Sequence, residues 1–474
     1  MRKLLLFSMA IAISTLVLTG CSKNSDPYVP PTPTPEPTPT PEPTDVEKYN
    51  ESFLNYVGGT ISPDQDWGFA ASRVAAARGL TRGDDIKPYV EDIYDKQYDK
   101  AYFDDLYKEM PEKTTPVEGN GKYTDFEFEA HKKFRMNFIF SWTLAKNMEF
   151  GYYFYDPFNG GINSRVEVPI TKDFFTEFDK NAYCQWNNGG DWMLYPHNYG
   201  WQIWDKMGAK QFQARMFTLK SEPNPAVDEG DIPEGYFVGF YTIINGKKYY
   251  TNRYLNESKK DPYFVVLDQE TGTFDHVFIV GIEDMDPDDN DSDCNDIMIS
   301  VNKHIDEGCP TLAKKIYRII GEDISAETSS DFDFNDIVLD VQLTDEGANC
   351  WLQAAGGQLP VRINYNDALE THKLFNVDQK TMVNTHAGDA GLPGVDGLKA
   401  VPFTIKGSFN SALDIPIQVY KNGQWLDFFA EKGKPACKIL INDPTFVWPK
   451  ERESLKSKYT KFTDWVKDPS VVWY

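Results

Sequence analysis

The stretch DFDFNDIVLDV, residues 331–341, places three carboxylates and an amide directly before an apolar run. The chain repeats this pattern at residues 291–301, as DSDCNDIMISV. Short runs of Ile and Val that follow Asp and Asn are typical of β-strands entered through a polar turn. Each copy also follows another apolar run and a Glu-Asp pair. The pattern therefore predicts two β-hairpins that arose by duplication within one chain.

The spacing within each acidic motif fits a hard cation. In Asp-x-Asp-x-Asn-Asp, alternate side chains turn oxygens toward one point as the backbone curls, and calcium binds about six to eight oxygens. The glycine and the later glutamate of an EF-hand loop are missing, so the Glu-Asp pairs must supply further ligands. The predicted calcium ligands are Glu283, Asp284, Asp286, Asp288, Asp291, Asp293, Asn295, Asp296, Glu322, Asp323, Asp331, Asp333, Asn335 and Asp336. The alternative is a pair of solvated turns, because Asp and Asn favour turns for backbone reasons.

The rest of the chain reads mostly as strands. Short β-branched and aromatic runs such as GYFVGFYTII, DHVFIVGI and VPFTIKG alternate with Asn, Gly, Pro and Asp. This alternation is typical of β-sandwiches and jelly rolls. We therefore expect a mainly β protein with two β-sandwich or jelly-roll-like domains, a small helical N-terminal lead-in and a C-terminal helix.

The first residues predict export and lipidation. Arg2 and Lys3 precede the apolar run LLLFSMAIAISTLVL, which is short for a membrane span and fits a signal peptide. Small residues before Cys21 resemble a bacterial lipobox, which implies cleavage before Cys21 and a lipidated N-terminus. The alternative is an ordinary secretory signal. The Pro/Thr-rich segment that follows predicts an extended spacer between the membrane and the folded part.

The charge of the chain limits its partners. It carries 72 acidic and 48 basic residues, a formal net charge of −24. Such a surface repels nucleic acids and anionic lipids, so we expect no nucleic-acid partner. It suits cations and neutral partners such as glycans. Five cysteines beyond Cys21 are widely spaced without a CxxC pair, and Cys294 and Cys309 are the nearest two, so neither a zinc site nor a disulfide framework is expected.

The sequence does not identify catalytic residues. It contains no HExxH, GxSxG, Walker A or Rossmann motif. Cys184 has no base that its spacing identifies. Acidic residues are so numerous that any pair fits a carboxylate-pair glycosidase, and the pattern does not discriminate.

One aromatic segment is a candidate ligand surface. Residues 185–205 read QWNNGGDWMLYPHNYGWQIWD, and aromatic rings beside amides are able to hold sugars. The alternative is that these rings fill gaps between sheets. The residues concerned are Trp186, Trp192, Trp201 and Trp204.

From residue 317 onward the chain resembles the LruC domain, a domain of unknown function found in lipoproteins of Bacteroidetes and other Gram-negative bacteria. The motifs that carry the resemblance are DFDFNDIVLDV, WLQAAGGQLPVRINY, HKLFNV and FVWPKERESLKSKYTKFTDWV. It implies an exported β-rich lipoprotein and brings no enzymatic activity. The expected segments are a signal peptide at 1–20, a lipidated Cys and tether at 21–45, a partly helical lead-in at 46–118, a β-sandwich domain with the first acidic hairpin at 119–302, and an LruC-like β domain with the second hairpin and C-terminal helix at 303–474.

These features together predict a lipoprotein anchored in the outer membrane of a Gram-negative bacterium and exposed at the cell surface. We expect a non-catalytic binding or adhesion module for a glycan or protein ligand, stabilised by calcium. A secreted hydrolase acting on polysaccharide and a structural component of the envelope or surface layer are the alternatives.

Overall fold

The structure is a computed structural model of the chain, and it describes part of the residues. Residues Thr44–Tyr474 form one compact unit. The fold is mainly β, as the sequence predicts. The described residues are 42–73, 95–98, 100–111, 113–131, 134–141, 148–170, 184–186, 192–194, 212–219, 221, 231–257, 262–284, 291–303, 309–325, 331–385 and 398–474.

Two antiparallel sheets form the amino-terminal sandwich. In order across the sheet, the first contains β1 (Asp95–Tyr98), β9 (Phe212–Thr218), β4 (Arg135–Ser141), β14 (Ile297–Asn302), β13 (Val277–Ile282), β12 (Phe264–Leu267) and β2 (Lys122–Tyr123). The second contains β15 (Thr311–Leu312), β3 (Phe128–Glu129), β10 (Phe237–Ile244), β5 (Met148–Tyr155) and β6 (Val166–Ile170), with β11 (Lys247–Tyr250) paired to β10. A separate hairpin joins β7 (Cys184–Trp186) and β8 (Trp192–Leu194).

The amino-terminal sandwich is held together by aromatic side chains between its sheets. Phe128 lies edge-on to Phe278 of the opposite sheet, with ring centroids 5.2 Å apart. Phe150 stacks on Phe240 at 5.7 Å within the second sheet. Because strand residues alternate between faces, these rings share one buried side, where edge-to-face and stacked contacts hold the sandwich together.

Two further antiparallel sheets form the carboxy-terminal sandwich. The larger contains β21 (Val383–Asn384), β18 (Gly347–Ala355), β17 (Ile337–Thr344), β16 (Tyr317–Gly321) and β25 (Lys438–Ile441), with β22 (Val401–Lys406) paired to β18. The smaller contains β20 (Asn366–Glu370), β19 (Val361–Ile363), β23 (Ile417–Lys421) and β24 (Gln424–Asp427). Aliphatic residues from both sheets, such as Leu339 and Val419, are fully buried in one core.

The described helices are short and pack on the cores of the sandwiches. They are α1 (Asp45–Tyr56), α2 (Lys100–Glu109), α3 (Thr371–Phe375), α4 (Leu455–Lys458) and α5 (Phe462–Lys467). Helix α1 begins with a capping box between Thr44 and Glu47, which satisfies its first free N–H groups. Its buried residues Tyr49 and Phe53 join the carboxy-terminal core although they come first in the chain.

The C-terminal helical segment consists of two helices and not one continuous helix. Tyr459 follows α4 with φ −118° and ψ 90°, which interrupts the helical backbone before α5. Leu455, Phe462 and Trp465 are nevertheless buried in the carboxy-terminal core. The apolar spacing therefore predicts which side chains are buried, while the helix itself breaks.

Two sequence predictions concern export and thiols. Within the described residues, none of the helices combines the length and apolar character that a bilayer span requires. The signal segment and Cys21 lie outside these residues, so their roles remain predictions. Cys294 and Cys309 are not joined by a disulfide.

Candidate metal centre

The second acidic motif closes the hairpin between strands β16 and β17. Gly321 pairs with Ile337 at the end of the ladder. Beyond it, Phe332 and Phe334 adopt the left-handed backbone region, with φ of 54° and 57°. Bulky residues rarely occupy this region, and each such residue costs about 1–3 kcal/mol. The loop must therefore be held in place by contacts on both of its sides.

The apolar side of the second loop faces the carboxy-terminal core. Phe334 is 0% exposed. Phe332 stacks on Tyr56 of helix α1, with ring centroids 4.3 Å apart. Burial of a phenylalanine contributes about 1.5–3 kcal/mol, which offsets the backbone strain. Because the rings of Phe332 and Phe334 are buried in the core, the acidic side chains that alternate with them in the sequence lie on the other side of the loop.

Three carboxylates converge on that other side. One oxygen from each of Glu322, Asp331 and Asp333 lies within 4.8 Å of the other two. Glu322 comes from the end of β16, and the two aspartates come from the motif. Glu322 Oε2 accepts a hydrogen bond from the backbone N–H of Phe334 at 2.9 Å, which ties the two arms of the hairpin together.

Ionised carboxylates in the second cluster would repel one another strongly if no cation were bound. Asp333 is 1% exposed. Burial and then the nearby charge of Asp331 raise the pKa of Asp333 to about 8. Burial, followed by the charges of Asp333 and Asp331, raises the pKa of Glu322 well above its usual value. In the described part of the chain, neither Asp331 nor Asp333 forms an ion pair. A bound cation would remove this repulsion.

The amide of Asn335 lies beside the second cluster. Its Nδ2 donates to Asp333 Oδ2 at 3.0 Å. Its Oδ1 is buried and has no hydrogen-bond partner. Buried polar atoms are rarely left unpaired, so this oxygen is an available ligand atom.

The first acidic motif repeats the backbone arrangement of the second. Ser292 and Cys294 adopt left-handed φ values of 57° and 55°. Glu283 Oε2 accepts a long hydrogen bond of 3.4 Å from the backbone N–H of Cys294. Asp293 Oδ1 accepts from the backbone N–H of Asn295 at 3.2 Å. The equivalent contact of the second motif joins Asp333 and Asn335 at the same distance.

A second pair of contacts closes both hairpins in the same way. Asp296 Oδ2 accepts from the backbone N–H of Asp284 at 3.1 Å. Asp336 Oδ2 accepts from the backbone N–H of Asp323 at 2.7 Å. The last aspartate of each motif therefore binds the backbone of the Glu-Asp pair across the hairpin.

The first motif also gathers three carboxylates, but the set differs. One oxygen from each of Glu283, Asp293 and Asp296 lies within 4.8 Å of the others. Burial raises the pKa of Glu283 to about 7. Burial, then the charges of Asp284 and Glu283, raise the pKa of Asp296 to about 11. If all its carboxyl groups ionised, this cluster, like the second, would hold more buried negative charge than its surroundings neutralise.

The structure brings together six of the predicted ligands in these two clusters. Of the others, Asp323 uses its carboxylate to accept from Ser325. Asn295 donates its Nδ2 to the carbonyl oxygen of Met110 at 3.2 Å. Asp286 and Asp288 lie outside the described residues. Membership of a ligand set therefore stays a prediction for Asp284, Asp286, Asp288, Asp291, Asn295, Asp323, Asn335 and Asp336.

Two segments that the sequence did not predict contact the loops of the first and second acidic motifs. The backbone N–H of Lys113 donates to Asp293 Oδ2 at 2.7 Å. The backbone N–H of Arg452 donates to Asp333 Oδ2 at 2.8 Å. Both donors have left-handed backbones, with φ of 57° and 64°. In the sequence, each segment shows only a short stretch that contains Pro and ends in Glu-Lys or Glu-Arg, namely MPEK at 110–113 and WPKER at 448–452. So short a pattern does not by itself predict that a segment contacts the acidic loops.

The predicted aromatic ligand surface is described only in part. Trp186 and Trp192 are register partners in the β7–β8 hairpin. Trp201 and Trp204 lie outside the described residues. The sugar-stacking role of these four residues remains a prediction.

The chemistry of the two acidic clusters is that of metal ligands. Each offers carboxylate oxygens from opposite arms of a hairpin, held by backbone hydrogen bonds, and each can hold a metal ion. Oxygen-only ligand sets suit hard cations better than soft ones.

No protein-family model, no curated protein and no solved structure matches the chain. The resemblance to the LruC domain therefore stays a prediction.

Proposed function

We propose that the protein is a non-catalytic binding module, exported and lipid-anchored at the cell surface, whose two acidic hairpins each hold a calcium ion. The cations stabilise the hairpins and thereby the β-scaffold that presents a ligand surface. The observation that carries this proposal is the convergence of buried carboxylates at equivalent places in two hairpins.

The choice of calcium follows from ligand type and number. All the converging atoms are carboxylate oxygens, and the amide of Asn335, which donates to Asp333, keeps a buried Oδ1 without a hydrogen-bond partner. Magnesium requires near-ideal octahedral geometry and retains several waters, whereas calcium accepts irregular sets of about six to eight oxygens. In each loop, backbone N–H groups already bind some of the carboxylate oxygens. Such a loop suits calcium better than magnesium, because calcium tolerates a less regular set of ligands.

The proposal is tested by calorimetric titration of the chelator-treated protein with Ca²⁺, Mg²⁺ and Zn²⁺, together with thermal unfolding. We expect two calcium-binding events, weaker binding of magnesium, and a rise in Tm with calcium that chelator reverses. At a calcium concentration of about 100 Kd, one site adds about 2.7 kcal/mol to the free energy of unfolding.

Variants connect the binding to the hairpins. The double variant Asp293→Asn, Asp333→Asn keeps the shape of both side chains and should lose both binding events. Asp345→Asn is the matched control, because Asp345 is exposed and follows the opposite end of strand β17. Absence of calcium binding in the unaltered protein, or unchanged binding in the double variant, would overturn the proposal.

The ligand of the surface module is proposed as a glycan or a protein, in line with the charge of the chain and its aromatic content. A glycan array with the calcium-loaded protein distinguishes the two. Binding without turnover of a polysaccharide supports the non-catalytic role, and release of sugar products contradicts it.

A further inference from the structure

A cavity lies between the second amino-terminal sheet and the larger carboxy-terminal sheet. Its volume is about 140 Å³. Glu127 and Tyr155 line it from the amino-terminal sandwich, and the register partners Arg318 and Ile441 line it from strands β16 and β25. Small-molecule sites in proteins commonly occur where two folded units meet. The cavity is therefore a candidate ligand site to which both sandwiches contribute.

Contacts between the sandwiches hold the walls of the cavity in place. Phe158 stacks on Trp351 of strand β18, with ring centroids 3.5 Å apart. The Nε2 of Gln353 donates to the carbonyl oxygen of Phe158 at 3.0 Å. The Nδ2 of Asn163 donates to the carbonyl oxygen of Thr445 at 3.3 Å. The cavity is therefore formed before a ligand binds, which lowers the cost of binding.

The carboxylate of Glu127 is fixed in the wall of the cavity. Its Oε1 accepts a hydrogen bond from the hydroxyl of Tyr153 at 2.8 Å. Its Oε2 accepts one from the hydroxyl of Tyr155 at 2.7 Å. Both tyrosines belong to strand β5 and are buried. Because a carboxylate has about four lone-pair positions, Glu127 can still accept a hydrogen bond from a ligand.

The carboxylate of Glu127 has no ion-pair partner in the described part of the chain. Burial raises the pKa of Glu127 to about 7. Hydrogen bonds from Tyr155, Tyr153 and Asn252 act in the opposite direction and lower this pKa. A carboxyl group that lines a cavity and is stabilised only by hydroxyl and amide donors is typical of a binding site.

The charges around the cavity favour a neutral ligand. Positive and negative side chains line it in near balance, namely Lys314, Lys315, Arg318, Asp125, Glu127, Asp340 and Asp443. Lys314 and Lys315 are exposed, so the cavity opens to solvent beside them. The cationic groups oppose a cationic ligand, and the carboxylates oppose an anionic one. An uncharged ligand with hydroxyl donors meets neither obstacle.

The size of the cavity and its aromatic wall fit one sugar ring. Phe237 lies edge-on to Tyr155, with ring centroids 5.9 Å apart, and both residues line the cavity. Aromatic side chains pack well against the C–H groups of a sugar. A cavity of about 150 Å³ is large enough to hold a six-membered ring. A neutral sugar therefore matches the cavity in charge, in hydrogen-bonding groups and in size.

We propose that the cavity between the two sandwiches binds one neutral sugar ring of a glycan, and that the Glu127 carboxylate accepts a hydrogen bond from a hydroxyl group of that ring. This inference deepens the ligand-binding part of the proposed function and rests on it. No residue of the two acidic clusters lines the cavity, so sugar binding and calcium binding are measured independently.

The test uses the full chain and a panel of neutral monosaccharides, namely glucose, galactose, mannose and N-acetylglucosamine. Saturation-transfer NMR detects binding, and a titration gives the affinity. We expect at least one of these sugars to bind. Glucuronic acid and glucosamine, which carry a negative and a positive charge, should bind about tenfold more weakly or less, because an unpaired charge in the cavity loses its hydration.

Variants connect sugar binding to the cavity. Glu127→Gln should weaken binding by about tenfold or more, because hydrogen bonds to a charged acceptor are the stronger ones. Glu129→Gln is the matched control, since Glu129 lies two residues further along the chain, in strand β3, and does not line the cavity. Ala313→Phe places a ring in the cavity and should abolish binding while Glu127 is kept. Circular dichroism checks that each variant is folded.

The outcomes separate this inference from the proposed function. Equal sugar binding by the unaltered protein, Glu127→Gln and Ala313→Phe would overturn the assignment of the cavity and leave glycan binding intact. Equal losses in Glu127→Gln and Glu129→Gln would also overturn it, because they would reflect only the charge of the segment. Absence of binding by every sugar of the panel, or tighter binding of a charged sugar, would overturn the inference, whereas the proposed function is judged by the calcium titration.

Discussion

The two acidic hairpins share a backbone and differ in what lies on either side of it. In the first, the left-handed positions hold Ser292 and Cys294, whereas in the second they hold Phe332 and Phe334. The polar contacts across the loop are nevertheless equivalent, down to the backbone donor on each central aspartate. The comparison teaches that the backbone contacts of the central aspartate are set by the loop backbone and not by the side chains behind it.

The polar surroundings of the two hairpins also differ. The first cluster uses Asp296 as its third carboxylate, and the second uses Asp331. In the second, the amide of Asn335 donates to Asp333 and its buried Oδ1 has no hydrogen-bond partner, whereas in the first the amide of Asn295 donates to the carbonyl oxygen of Met110. We therefore expect the second hairpin to bind a cation more tightly than the first.

The largest expected difference between the hairpins concerns the apolar side of each loop. Phe334→Ala removes a fully buried ring and should lower the free energy of unfolding by about 3–5 kcal/mol. Cys294→Ala removes a single buried sulfur and should cost about 1 kcal/mol. Urea unfolding of both variants measures the difference. Phe334→Leu is the control and should fall between them, and equal losses would show that the core does not hold the second loop.

The second prediction compares calcium affinity at the carboxylate clusters of the two hairpins. Asp333→Asn should reduce calcium affinity at the second hairpin by about 100-fold, which corresponds to about 2.7 kcal/mol. Asp293→Asn should remove the weaker of the two binding events. Calorimetric titration resolves the two events. The expected order of affinity would be wrong if Asp333→Asn removed the weaker event.

The pH dependence of the cation-free protein should differ between the hairpins. The pKa of Asp333 is raised to about 8 and that of Glu283 to about 7, both chiefly by burial. Their folded forms bind protons that the unfolded chain has lost, so each contributes stability at low pH that disappears as pH rises through its folded pKa. The loss should reach at most about 1.4 kcal/mol per pH unit and group.

Urea unfolding in chelator at pH 5 to 8 measures this loss. Asp333→Asn should remove one group's share of the fall up to pH 8, and Glu283→Gln should remove one group's share only up to about pH 7, while the other raised carboxyl groups such as Asp296 keep the remaining slope. Saturating calcium should remove the fall in both hairpins, because the cation replaces the proton. An identical fall with and without calcium would contradict the cation-binding role.

The smallest expected effect tests the backbone alone. Ser292→Gly should relieve the left-handed strain without loss of a buried ring, and the free energy of unfolding should change by less than about 1 kcal/mol, in the stabilising direction. Phe332→Gly relieves the same strain but should destabilise, because the ring stacked on Tyr56 is lost. Thermal unfolding compares the two, and a stabilising Phe332→Gly would mean that the ring contributes little.

The strands and the acidic motifs could be predicted from the sequence, because each is a local pattern within a few consecutive residues. Asp331, Asp333 and Glu322 meet as expected, since hairpin pairing forces the two arms together. The backbone contact of Arg452 to Asp333 was not predictable, because it depends on how a segment more than a hundred residues away folds back. The broken C-terminal helix escaped prediction for a related reason: its apolar side chains satisfy the core whether or not the helix is continuous.

Helix α1 has a mechanical consequence. Its Tyr56 hydroxyl accepts from the backbone N–H of Lys456 at 2.8 Å, and the side chain of Gln65 donates to the carbonyl oxygen of Trp465 at 2.7 Å. A force applied at Thr44 is therefore transmitted to the carboxy-terminal sandwich, through the contacts of Asp45 with Lys421 and Asn422 and through that of Tyr56 with Lys456.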